Sequence, residues 1–143
     1  MIIVDVNLLI YAVNRDSPHH AKAKSWLETA VSGTETIGMP WIVLLAFLRL
    51  TTRTGLFRKP LTPHAAFDLV DDWLQQPSVT VPEPTPRHQQ TMRDLISPLG
   101  TGGNLTSDAH LAALSIEHGA ELCSSDNDFV RFSRLRWRNP LAR

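Results

Sequence analysis

Met1-Ile2-Ile3-Val4-Asp5-Val6-Asn7-Leu8-Leu9-Ile10-Tyr11-Ala12 opens the chain, and its reading decides the fold class. Three branched aliphatic residues in a row, Ile2 to Val4, have the pattern of a strand buried on both faces, as in a parallel sheet. A carboxylate follows at once. A charge at the tip of a buried strand needs a partner, because an unpaired ion out of water is costly. In an open parallel sheet the same tip is where ligands bind, beyond the carboxyl ends of the strands. Asp5 is therefore the first candidate functional residue.

Outward from this stretch the chain alternates between strand and helix signals. Ser17-Pro18 pairs a serine cap with a proline in the first turn, for a helix reaching about Val31, with Gly33 just beyond. Residues 36–39 read as a short strand. Pro40 opens a helix through Thr54, stopped by Gly55. Thr62-Pro63 repeats the cap-and-proline signal for a helix ending before Pro77. Residues 79–81 read as a strand, and Thr85-Pro86 starts a helix to about Leu99. The glycine-rich stretch 100–104 is a loop. A helix follows from about Thr106 to His118, closed by Gly119. Residues 121–124 are the next strand, and a short helix and an edge strand at Trp137 finish the chain. Strands separated by helices over 143 residues predict one domain: a three-layer α/β/α fold with a central, mainly parallel sheet.

The same reading brings more acids to the sheet edge. Asp126 closely follows the strand at 121–124, Asp108 falls in the first turn of a helix, and Asp128 lies two residues after Asp126. Carboxylates held together repel one another, and a divalent cation relieves the conflict. Magnesium and manganese favour such oxygen ligands. Each aspartate also has an ordinary structural explanation as a cap or turn residue, and spacing alone leaves both readings open.

Composition narrows the classes. The one cysteine, Cys123, excludes an internal disulfide and argues against a cysteine zinc site. There is no His-Glu-x-x-His pattern and no serine at a strand–turn–helix elbow. No apolar run approaches the roughly 20 residues needed to span a bilayer, and the first residues lack a basic leader. A cytoplasmic, soluble protein is the expectation. The formal net charge is zero, so overall charge does not argue for nucleic acid. Basic residues are nevertheless clustered, at Arg49, Arg53, Arg58 and Lys59 and at Arg131, Arg134, Arg136, Arg138 and Arg143.

Three segments carry a resemblance. Residues 4–12 around Asp5, residues 104–114 leading to Glu117-His118-Gly119-Ala120, and Ser124-Ser125-Asp126-Asn127-Asp128-Phe129 resemble the acidic blocks of the PIN-domain nucleases. They are most similar to the VapC-type toxins of type II toxin–antitoxin pairs. The order of the blocks matches, over nearly the whole chain. The resemblance implies a PIN-like fold over residues 1–143 and an endoribonuclease dependent on Mg2+ or Mn2+. Its implied reaction is cleavage of cellular RNA, tRNA or rRNA, by activated water, leaving 5′-phosphate and 3′-hydroxyl ends. It implies Asp5, Asp108, Asp126 and Asp128 as the catalytic acids, the first three as metal ligands. Asn7, Asn104, Thr106, Ser125 and Arg49 are the expected supporting or RNA-contacting residues. The implied partners are RNA, a VapB-like antitoxin and a second copy of the chain. Trp41, Leu44, Leu45 and Leu48 form a candidate face for an antitoxin helix.

One position departs from the family pattern. A glutamate is expected in the stretch that here reads Ala46-Phe47-Leu48-Arg49, so Ala46 stands in its place. Asp94 is a conceivable substitute. The departure leaves two alternatives beside the toxin: a nuclease fold weakened into an RNA- or protein-binding module, and a housekeeping RNA-processing nuclease.

Overall fold

The computed structural model describes residues 1–142. Five strands form one sheet in the order β3-β2-β1-β4-β5, every neighbouring pair parallel. The strands are β1 (Ile2–Val4), β2 (Ile37–Gly38), β3 (Val79–Thr80), β4 (Glu121–Cys123) and β5 (Trp137–Arg138). The helices are α1 (Val6–Val13), α2 (His20–Ser32), α3 (Trp41–Thr52), α4 (Pro63–Leu74), α5 (His88–Ile96) and α6 (Leu105–Glu117). Helix α1 lies against α2 and α3, α3 against α4, and α5 against α6. This is the three-layer parallel α/β arrangement expected from the alternation of elements.

The apolar opening run lies in the middle of the sheet. Ile3 and Val4 are wholly buried, as are Leu122 and Cys123 on β4 beside them. Burial on both faces is why these short strands contain no polar alternation. Phe47 from α3 and Phe129 from the turn after β4 are among the largest core side chains.

Helix α1 is the main element that pattern reading left unassigned. Residues 6–13 are apolar almost throughout, and the helix they form buries Leu8, Leu9, Ile10 and Ala12. A short apolar run does not by itself separate helix from strand. What starts the helix is Asp5, whose side chain accepts a hydrogen bond from Val6 N. Smaller shifts have local causes. Helix α2 begins at His20, because Ser17 Oγ instead accepts from His19 N in the preceding turn. Helix α3 ends at Thr52, and Arg53 is already extended. Helix α5 begins at His88, because Thr85 Oγ1 donates to Glu117 and accepts from Arg87 N in the preceding turn.

Glycine is required at one strand position by close approach. A Cβ on Gly38 of β2 would stand 2.9 Å from Ile3 Cγ1 and 3.1 Å from Pro82 Cγ. The Gly38→Ala substitution should therefore lower stability by about 1–3 kcal/mol, the usual cost of overpacking. Urea denaturation checks this: the midpoint should fall, with the slope unchanged.

Candidate metal centre

The site grows from the register of two strands. Val4 pairs with Cys123 in the β1–β4 ladder, so the next residues, Asp5 and Ser124, leave the sheet side by side. Asp5 N donates to Cys123 O at 2.9 Å, and Ser124 Oγ donates to Asp5 Oδ2 at 2.6 Å. Asn7 Nδ2 also reaches Asp5 Oδ2 at 3.2 Å and Ser124 Oγ at 3.1 Å, while Asn7 Oδ1 accepts from Ser125 N. Asp126 N donates to Ser124 Oγ at 3.0 Å, and Asp126 Oδ1 accepts from Asp128 N at 2.9 Å. The two strand tips are thus joined by one hydrogen-bond network with Ser124, wholly buried, at its centre.

Burial and mutual charge set the electrostatics. Asp5 is 8% exposed. Its carboxyl is raised above the ordinary range by burial, and further by Asp126, despite the bonds from Ser124, Val6 N and Asn7. Asp108 is raised to about 6, first by burial, then by the charges of Asp126, Asp5 and Asp128, with Arg131 partly opposing. Asp5 and Asp108 line one pocket of about 220 Å³ with Ala46, Arg49, Ser107 and Leu111.

As placed, no three His, Cys, Asp or Glu side chains among the described residues converge tightly enough to hold one ion. Like-charged carboxylates repel, so they must turn inward, or waters must bridge, for one ion to reach three of them. The chemistry of the donor set fits a hard divalent cation nonetheless. The donors are all oxygens, and the raised carboxyls mark a field short of positive charge. Asp5 Oδ1 accepts one bond, from Val6 N, and keeps a lone pair.

The expected residues divide accordingly. Asp5, Asp108 and Asp126 share one field. Asp128 stands at the rim, more than half exposed, with a loose ion pair to Arg131 at 3.7 Å. Asn7 holds Asp5 and Ser124 in place, and Arg49 lines the pocket. Asn104 and Thr106 are exposed at the start of α6, and Asn104 makes no side-chain cap bond. Ser125 contributes its backbone N–H. The serine that binds Asp5 is Ser124, and Ser107 on the pocket wall was likewise not singled out. The first could have been found by aligning the strand tips, since Ser124 sits one residue past β4 as Asp5 does past β1.

Asp94 does not replace the expected glutamate. It lies exposed on α5, bonded by Gln90 and paired with Arg134 at 3.6 Å. Ala46 itself lies on the wall of the acidic pocket. The carboxy-terminal arginines are largely engaged within the chain: Arg131 with Asp128, Arg134 with Asp94, Arg136 with Gly119 O and Arg138 with Glu121. Arg143 lies outside the described residues.

A doubly wound parallel sheet with acids gathered at the tips of β1 and β4 defines the class of open α/β folds that bind ligands beyond the carboxyl ends of their strands. The PIN domain family profile matches residues 2–135, and the chain belongs to that family. Ribonuclease VapC37 of Mycobacterium tuberculosis is 49% identical over 142 residues, covering 99% of each chain. Ribonuclease VapC33 of the same species is 43% identical, again over 99% of each. The fold is similar to a chain of the VapBC2 complex from Rickettsia felis bound to a promoter DNA fragment, with TM-score 0.73, 20% identity and coverage of 97% and 98%. A chain of VapBC-1 from nontypeable Haemophilus influenzae has TM-score 0.70 at 16% identity, with coverage of 99% and 100%.

The raised carboxyls carry a consequence for stability. Asp108 ordinarily titrates near 3.8 and here near 6. Between these values the folded protein keeps a proton that the unfolded chain has lost, so its contribution to stability falls as pH rises. In chelator, Asp108→Asn should gain in Tm relative to the natural protein as pH rises from roughly 4 to 7. Manganese at neutral pH should narrow that gap by stabilising the natural protein more. Thermal melts across pH, with and without the ion, measure both.

Proposed function

We propose that this chain is a divalent-metal-dependent endoribonuclease, the toxin half of a type II toxin–antitoxin pair. The observation that carries the reading is the network tying Asp5 to Ser124, Asn7 and Asp126 across two parallel strand tips, beside the pocket that Asp5 shares with Asp108. Full-length likeness to relatives named VapC ribonucleases supports it. Asp5, Asp108 and Asp126 would hold Mg2+ or Mn2+, with Asp128 at the edge. When bound, such an ion supplies an activated water and neutralises charge developing on the phosphodiester.

The chain's own residues do the rest. Ser124 and Asn7 fix the Asp5 carboxylate so that it cannot turn away from the strand tip. Oriented ligands of this kind bind metal more tightly than free ones. Arg49, exposed on the pocket wall, is placed to hold an RNA phosphate, and among the described residues it forms no ion pair. Its charge offsets phosphate repulsion by the acids.

The partners in this proposal are RNA, a VapB-like antitoxin and a second copy of the chain. Among the described residues no helix is long and apolar enough to cross a membrane. Of the four residues read as an antitoxin face, Leu44 is wholly buried in the core and Leu48 is partly buried. Trp41 and Leu45 alone among them are exposed, at 47% and 57%.

Ala46 favours a second reading, a nuclease of weakened metal affinity, because it occupies the acidic pocket with a methyl group. One experiment addresses both. Purified protein is incubated with cellular RNA and Mn2+, and cut ends are sequenced. The natural chain should cut, and Asp5→Asn or chelator should abolish cutting. Ala46→Glu should lower the Mn2+ concentration needed by roughly tenfold or more, at least the effect of losing an outer-shell partner. RNA left whole by the natural protein and by Ala46→Glu alike would refute the nuclease.

A further inference from the structure

We propose that a second pocket, walled by Trp41 and His110, receives one unpaired nucleobase of the RNA beside the scissile phosphate. The inference rests on the ribonuclease reading and assigns it a specificity subsite.

It starts from a buried chain of side chains that the metal centre does not use. Thr85 Oγ1 donates to Glu117 Oε1, His88 Nδ1 bonds Glu117 Oε2, and His88 Nε2 meets His110 Nδ1 at 2.8 Å. The Glu117 side chain is 1% exposed and that of His88 only 14%, so His88 is not the surface residue that its place near a helix start suggests. Burial pushes the Glu117 carboxyl up, but the bonds from Thr85 and His88 outweigh it and hold it below its ordinary range. An ionised carboxylate only accepts, so His88 Nδ1 carries a hydrogen. His88 Nε2 and His110 Nδ1 then share one hydrogen between them. His110 Nε2 is left over, and among the described residues nothing bonds it. The chain of bonds orients this ring, which is what a recognition group needs.

His110 lines a pocket of about 260 Å³ with Pro40, Trp41, Ile42, Pro82 and Glu83. That is smaller than the roughly 300–1,000 Å³ of sites for drug-sized ligands, and suits one planar ring. Trp41 supplies an exposed aromatic face, on which unpaired bases stack. Glu83 supplies acceptors, His110 Nε2 one hydrogen-bonding nitrogen, and no Lys or Arg lines the pocket, so a base edge fits better than a phosphate. Guanine, with two adjacent donors on its pairing edge, matches the paired oxygens of Glu83 best. The pocket also adjoins the acidic one. Ile42 is a wall of both. A strand with its phosphate at Asp5 and Asp108 would pass Ile42 to place a neighbouring base on Trp41.

The test uses the full chain in EDTA, which stops metal-dependent cutting. A library of short single-stranded RNAs with a randomised stretch is selected on the natural protein and on Trp41→Ala, Trp41→Phe, His110→Ala and Leu45→Ala. Leu45 is exposed one turn along α3 and outside the pocket. The natural protein should enrich one base at a fixed position, guanine by donor count. Trp41→Ala should lose roughly tenfold or more in affinity, the size of one lost base–aromatic stack. Trp41→Phe should recover most of it, His110→Ala should flatten the base preference, and Leu45→Ala should behave as the natural chain. Equal selection by all variants would overturn the inference, as would Trp41→Ala that binds RNA normally but no longer retains its antitoxin. In either case RNA cleavage in Mn2+ by the natural protein would leave the ribonuclease reading standing, whereas neither cutting nor binding would end both.

Discussion

The hydrogen bond from Ser124 to Asp5 depends on a pairing made entirely of backbone. Because β1 and β4 run parallel with Val4 opposite Cys123, the residues that follow emerge together at one sheet edge. A slip of one residue would send both to opposite faces, since side chains alternate along a strand. The buried side chains of β1 and β4 oppose that slip, because both faces are close-packed and each would have to be refilled by side chains of another shape. The stability of the core and the placement of the acids are therefore one constraint.

The network makes a buried carboxylate tolerable without neutralising it. Ser124, Asn7 and Val6 N all donate to Asp5, yet burial and Asp126 still raise its carboxyl. The same field reaches Asp108 on a different helix. Donors that orient a ligand and leave its charge unsatisfied are what a cation site requires. A purely structural cap would need no second and third acid nearby. Ala46 puts a methyl group on the pocket wall that an added carboxylate would share.

The helices have divided roles around this edge. Helix α3 contributes core with one side and pocket wall with the other, from Trp41 through Ala46 to Arg49. Helix α6 does the same, presenting Asp108 to one pocket and His110 to the next. His110 is tied through His88 to Glu117 near the far end of its own helix, so α5 and α6 are fastened by polar bonds as well as apolar contact. Such a buried polar chain is stable only when every member is satisfied, and among the described residues no buried side-chain nitrogen or oxygen lacks a partner.

Local pattern in the chain was enough to read the parallel α/β class, most helix positions, and Asp5, Asp108 and Asp126 as acids at one edge. These follow from apolar runs, proline-capped helix starts and carboxylates at strand tips, which are properties of neighbours in sequence. Helix α1 was not legible, because a short apolar run suits strand and helix equally until tertiary burial decides. Ser124 in place of Ser125, the rim position of Asp128, and the exposed, uninvolved Asn104 and Thr106 depended on register and side-chain direction. The engagement of Asp94 and the carboxy-terminal arginines by partners elsewhere in the chain, and the burial of His88 against Glu117, were likewise decided only by folding. Each joins residues far apart in sequence, and only packing determines which distant groups meet.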